Sequence, residues 1–291
     1  MSILSKATLF PAALEAEIFN SVKGHSSLAK LSAQDALPFT GKDIFTFSFD
    51  SDVSVVGESA QKPAGDATVT PVSMVPIKVV YQSRVSEEYM YADEEYKMNT
   101  LAAFAEGFAK KLASGLDKMA MHGINPATGS TTSLITSYFD NKVTNTVTYA
   151  AGSADANIDA AVAMVEGAEY TANGIAISPA MRGALALMRG NNGERLYGEF
   201  AFGATPANLG SMVLDTNATV STGNVDHAIV GDFKDAFKWG IAKNMPLEII
   251  EYGDPDGQGD LKRSNQIVIR SEAYIGWAIM DANAFARVTV A

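Results

Sequence analysis

The feature that most restricts this chain is residues 93–122, which read as one long helix. Leu101, Phe104, Phe108, Leu112 and Met119 recur at spacings of three, four and seven, the pattern of one face of a 3.6-residue repeat. A second stripe of small residues, Ala102, Ala105, Ala109 and Ala113, runs beside it and lets another backbone approach closely. Asp93, Glu94 and Glu95 crowd the start, while Lys110, Lys111 and Lys118 lie towards the end, the order the helix dipole favours. At about 1.5 Å per residue the helix would be about 45 Å long. That is far longer than an average globular helix and suits a beam crossing a flat subunit.

The segment before the helix is extended. Phe45, Phe47 and Phe49 alternate with Thr46, Ser48 and Asp50, the period-two pattern of a strand. A turn-rich stretch at 57–66 follows. The chain then extends again, with Ile77, Val79 and Tyr81 facing one way and Lys78 and Gln82 the other. Residues 44–90 therefore read as a long hairpin. Pro71 and Pro76 lie in its return arm, which assigns that arm to a sheet edge because proline cannot donate to a ladder. An exposed edge is a liability for a monomer and makes sense if a neighbour covers it. The first forty residues read as an arm with a short amphipathic helix at 11–22. The arm is either loosely attached or packed on a neighbouring subunit.

After the helix, a turn cluster at 123–130 leads to alternating helix and strand signals. These predict a helix over 158–170, a buried strand over 174–178 and a helix over 179–189, with Pro179 in its first turn where the missing N–H costs nothing. Short strands are expected over 211–215 and 227–231, so that 150–232 forms an α/β unit. The remainder reads as strands over 237–242, 247–252 and 266–280, a hairpin tip over 253–260 and a final strand over 287–290.

Bulk properties exclude several classes. The chain has no cysteine, so disulfides and thiolate metal sites are out and a reducing compartment fits. Its formal net charge of -11 argues against a tight nucleic-acid binder, which needs a basic face. The opening residues, Met1 to Lys6, lack the apolar stretch of a signal peptide, and no apolar run is long enough to cross a membrane.

Chemistry-bearing motifs are weak. His25, His122 and His227 are scattered, and none belongs to a metal-ligand pair. No nucleophile elbow, phosphate loop or dinucleotide turn is present. Ser27-Leu28-Ala29-Lys30 matches SxxK without its companion motifs. The acidic run 254–260 imitates the start of a calcium loop, but position twelve is Asn265, where a glutamate is required. A solvated hairpin tip is the better reading. Glu94–Glu95 and Glu87–Glu88 are helix-start charge rather than an acid/base pair. No catalytic residue, metal site or cofactor is expected, and the chain does not read as an enzyme.

Six patches, in order, resemble the tailed-bacteriophage major capsid protein family. Residues 55–63 look like the tip of that family's extended loop, and 77–91 like the strand returning to its spine helix. Residues 112–118 with Gly123 look like the end of the spine helix. Residues 173–179 look like a strand-to-helix step of the axial domain, and 228–233 like the re-entry to the peripheral domain. Residues 267–277 with 281–285 look like the family's ending. The resemblance implies an α+β, Hong Kong 97-type capsid fold. Its parts would be an N-terminal arm (1–43), an extended β-hairpin loop (44–90), a peripheral domain with spine helix (91–149), an α/β axial domain (150–232) and return strands of both domains (233–291).

The resemblance further implies self-assembly through hexamers and pentamers into an icosahedral or prolate shell around a double-stranded DNA genome. The shell would be a virion capsid assembled in the bacterial cytoplasm, with a portal and scaffolding or decoration proteins as partners. DNA would be enclosed without sequence-specific binding, and no membrane would be involved. An encapsulin-type nanocompartment loading a cargo enzyme is the alternative. Gly57, Glu58, Gln61, Lys62, Pro63 and Asp66 would form the subunit-contacting loop tip, and Leu101, Phe104, Phe108, Leu112 and Met119 the apolar stripe of the spine helix. Some members crosslink an extended-loop lysine to a neighbour's asparagine. Lys62 lies at the loop tip, but its asparagine and acceptor carboxylate are not assignable, and a simple interface charge is the better reading of it.

Overall fold

The computed structural model describes residues 25–49, 52–91, 94–244 and 247–290; the helix expected over 11–22 lies outside them. The long helix is present as α2, Glu94–His122. Both of its stripes are turned inward. Leu101, Phe108, Leu112 and Met119 are buried together with Ala105, Ala109 and Ala113, and Phe104 is half-buried. Gly123 stops the helix with a left-handed φ of +65°. Its N–H donates to the Met119 carbonyl, and the Ile124 N–H reaches back to Lys118, closing the helix end. A side chain at Gly123 would collide with the ring of Tyr138, which precedes the short helix α3 (Phe139–Lys142).

Two sheets flank this helix. Strands β3 (Ile77–Ser86), β9 (Phe237–Asn244), β10 (Glu248–Ile250) and β11 (Gln266–Ile279) form the first, with β11 paired to the other three. The residue alternation in β3 is as expected. Tyr81 turns to Phe104 on α2, with ring centroids 5.6 Å apart, and Ile77 and Val79 join the core. On the opposite face Lys78 pairs with Glu272 at 2.9 Å. However, β3 is not the return arm of the hairpin. It pairs over ten residues with β11, while β1 (Lys42–Phe49) pairs with β2 (Ala67–Met74) alone. Pro76 falls in the break between β2 and β3, where no ladder donor is needed.

The second sheet has six strands in the order β4 (Thr146–Thr148), β12 (Phe285–Thr289), β8 (Asp226–Gly231), β5 (Gly174–Ile177), β7 (Met212–Thr216) and β6 (Asn208–Leu209). Alternating residues of its central strands serve two cores. Ala176, Ile229 and Phe285 face α2, whereas Ile175, Ile177, Val230 and Val288 face α4 (Ala154–Gly167) and α5 (Pro179–Leu187). Helix α4 begins one turn earlier than its sequence pattern indicates and ends before Tyr170. The Tyr170 N–H bonds back to the Val165 carbonyl, and Glu169 turns left-handed at φ +66°. Helix α5 ends at Leu187 rather than Arg189, because Arg189 enters a bridge with Arg195.

The described part of the arm is neither loose nor reserved for a neighbour. Leu28, Leu31 and Leu37 are buried in the subunit itself. Helix α1 (Ser27–Leu31) is capped by Ser26, and Gln34 bridges to Trp239. The segment crosses Gly240 so closely that an added Cβ would lie 2.5 Å from the Asp35 carbonyl oxygen.

Candidate interaction surface

The register of β1 with β2 sets what this hairpin offers. Phe45 faces Pro71 and Phe47 faces Val69, and cross-strand partners lie on the same face of an antiparallel pair. The other face is used at its base, where Ile44 and Val72 pack on Leu37, Met74 and Ala278. The phenylalanine face remains in water: Phe45 is 68% exposed, Phe47 59% and Val69 54%. Burying such a side chain is worth about 1.5–3 kcal/mol, a gain the isolated subunit forgoes. Neither strand pairs with any third strand, so the ribbon also has two outer edges among the described residues.

The tip residues Gly57, Glu58, Gln61, Lys62, Pro63 and Asp66 are all exposed, as are Val53 and Val55 just before them. A tight turn organises them, with the Ala60 N–H donating to the Gly57 carbonyl at 3.1 Å and Ser59 left-handed. The stripe of α2, in contrast, is spent inside the subunit. Leu101 packs on Ile267 and Ile269, and Phe108, Leu112 and Met119 join the central core.

Charged side chains meet partners distant in sequence at three places. In the acidic loop the Arg84 guanidinium occupies the position a cation would need. It donates to both oxygens of Asp256 and to the Gly259 carbonyl, and holds the Asp256 carboxyl down to about 2. This loop is therefore fastened to β3 rather than being a free hairpin tip. In the second cluster His122 Nδ1 lies 2.8 Å from Asp140, and Arg287 donates from Nε and Nη2 to the two oxygens of Asp226 at 3.0 Å each. Arg287 also pairs with Asp140 at 2.9 Å. The ligand-capable atoms of His122, Asp140 and Asp226 gather closely enough for a metal ion. The guanidinium already stands among them as the counter-cation, so the arrangement is a buried ion-pair network tying α2, β8 and β12 together.

The third place is Asp117, fully buried on α2. Its carboxylate accepts from Ser26 Oγ, the Ser27 and Leu28 N–H groups, Thr219 Oγ1 and Asn217 Nδ2. Burial outweighs these five donors and pushes the carboxyl up to about 6. Sequence reasoning passed over Asp117. Its signal was a lone acid flanked at helical spacing by Ala113 and Ala120, both of which are buried. His25 is exposed, and His227 contacts Ser178 Oγ at 3.0 Å. Ser178 is wholly buried and caps α5 by accepting from the Met181 N–H, a structural commitment of its hydroxyl. No helix among the described residues is long and apolar enough to cross a membrane.

A family profile described as the phage capsid family matches residues 7–290. No curated protein sequence matches the chain. Among solved structures, one from Mycobacterium phage Ogopogo is 35% identical, with a TM-score of 0.80 and 92% of each chain covered. One from Gordonia phage Cozz is 24% identical at a TM-score of 0.75, covering 93% of this chain and 86% of that one. A third, the capsid of a native GTA particle computed with C5 symmetry, is 17% identical at a TM-score of 0.67, covering 91% and 90%. The last two establish likeness of fold.

Proposed function

This chain belongs to the phage capsid family, and on that premise we propose that it is the major capsid protein of a phage, assembling through hexamers and pentamers into a closed shell around double-stranded DNA. The fold is α+β and of the Hong Kong 97 type, with arm, extended hairpin, spine helix α2, peripheral four-stranded sheet and axial six-stranded sheet. The observation that carries the reading is the phenylalanine face of the hairpin, left in water by a subunit whose relatives include a shell. Covering it with a second copy turns an exposed apolar ribbon into the core of an interface, as in obligate assemblies. The tip residues 57–66 would lie on that neighbour. The acidic balance suits a wall that confines DNA without gripping it. The role is structural rather than enzymatic. Assembly would take place in the host cytoplasm, with a portal and any scaffolding or decoration proteins as further partners.

Deleting residues 57–66 tests this directly. A soluble, folded subunit that fails to build normal shells in negative-stain images is the expected result. Normal shells from the deletion protein would remove the hairpin from the assembly mechanism.

A further inference from the structure

The axial part of the molecule carries a second unspent surface. Phe202 is 97% exposed and sits in the left-handed region at φ +55°, a conformation that a bulky side chain adopts only when its surroundings impose it. The Arg195 guanidinium lies over its ring, 4.7 Å from the centroid, and Leu187 and Leu196 are exposed in the same 187–203 segment. A short bridge between Arg189 and Arg195 stiffens the loop. The result is an exposed aromatic knob with a cation on its face, and aromatic residues and arginine are both enriched in interfaces.

The same domain carries a cleft of about 300 Å³ between α4, the end of α5 and the β6–β7 turn. Its floor is apolar, with Ile158, Val162, Leu185 and Met212, and Asp155, Asp159 and Glu166 of α4 line it. An apolar slot edged by carboxylates fits an aromatic ring accompanied by an arginine. Phe202 is almost wholly in solvent, so it does not occupy the cleft of its own subunit.

We infer that Phe202 and Arg195 of one copy dock into the Asp155–Asp159–Val162 cleft of the next copy. A ring requires this contact to be heterologous rather than reciprocal. Each subunit gives a knob to one neighbour and a cleft to the other, which closes into a ring when the rotation is right. The inference rests on the shell reading and adds the charge-complementary contact that would set neighbour to neighbour within one ring.

The absence of native cysteine makes the test clean. Wild-type protein is first shown to assemble. The double variant Ala204→Cys, exposed beside the knob, with Ser211→Cys, on the rim of the cleft, is then assembled and treated with a short bismaleimide. The expected product is a ladder of crosslinked oligomers ending at the ring size. A mixture of the two single variants should give crosslinked dimers only, which excludes a link within one chain. Particles that form normally and yield no crosslinked oligomers overturn the knob-and-cleft contact and leave the shell reading intact. Wild-type protein that forms no particles, with its neighbouring genes coexpressed, overturns the shell reading and this contact with it. As a second line, Asp159→Arg should cut assembly at least tenfold without changing the melting temperature, and Arg195→Glu in the same chain should restore it. Wild-type assembly by Asp159→Arg alone would also sink the contact.

Discussion

Asp117 shows how much one side chain can hold. Its carboxylate accepts from the first turn of α1, from Asn217 and from Thr219, so a single acid on α2 holds the start of α1 in place. Asp117→Asn would direct an amide NH2 at groups that are themselves donors. The expected loss is about 1–3 kcal/mol in urea unfolding, the range for leaving buried polar groups unsatisfied. The same residue sets a pH dependence. Its folded pKa of about 6 lies above the unfolded 3.8, so the native state binds the proton more tightly. Its contribution to stability is complete below about pH 4 and is lost as pH rises through about 6. Melting curves of wild type and Asp117→Asn should therefore differ in slope between those limits; parallel curves would show that the carboxylate titrates normally. Arg287 stands at the other extreme, as the guanidinium between two carboxylates. Arg287→Met would leave Asp226 buried without its cation, and truncating one partner of such a pair costs about 3–5 kcal/mol. A midpoint within experimental error of wild type would show that the network contributes nothing.

At the scale of elements, the hairpin and the spine helix are built from similar apolar residues and have opposite fates. The stripe of α2 is enclosed by β11 and the axial sheet, so Phe108→Ala should cost about 3–5 kcal/mol as a core truncation. Phe45 and Phe47 of β1 are mostly exposed in the single subunit. Phe45→Ser with Phe47→Ser should leave the melting temperature of the unassembled subunit within a degree or two of wild type, since surface changes stay near ±0.5 kcal/mol, while abolishing assembly. Hydrogen exchange followed by mass spectrometry separates the two elements further. Amides of 42–74 should exchange among the fastest in the free subunit and become protected in the shell, whereas α2 should be protected in both. Equal protection of the hairpin in both states would mean that it is not an interface.

For the whole molecule, the order of parts was legible along the chain. The 3.6-residue stripe required a long helix, period-two phenylalanines required a strand, and missing cysteines and motifs narrowed the chemistry. These are local signals, carried by neighbours in sequence whose spacing follows from helix and strand geometry. The pairing of β3 with β11 was not legible, because its partners are nearly two hundred positions apart and an isolated strand does not say which edge it will meet. Separation along the chain likewise hid the meeting of Arg287 with Asp226 and Asp140, the Arg84 clasp on the acidic loop, and the cleft beside α4. Periodicity specifies which face of an element is apolar. Only the packed chain decides which of those faces are enclosed within the subunit and which, like those of Phe45 and Phe202, stay exposed.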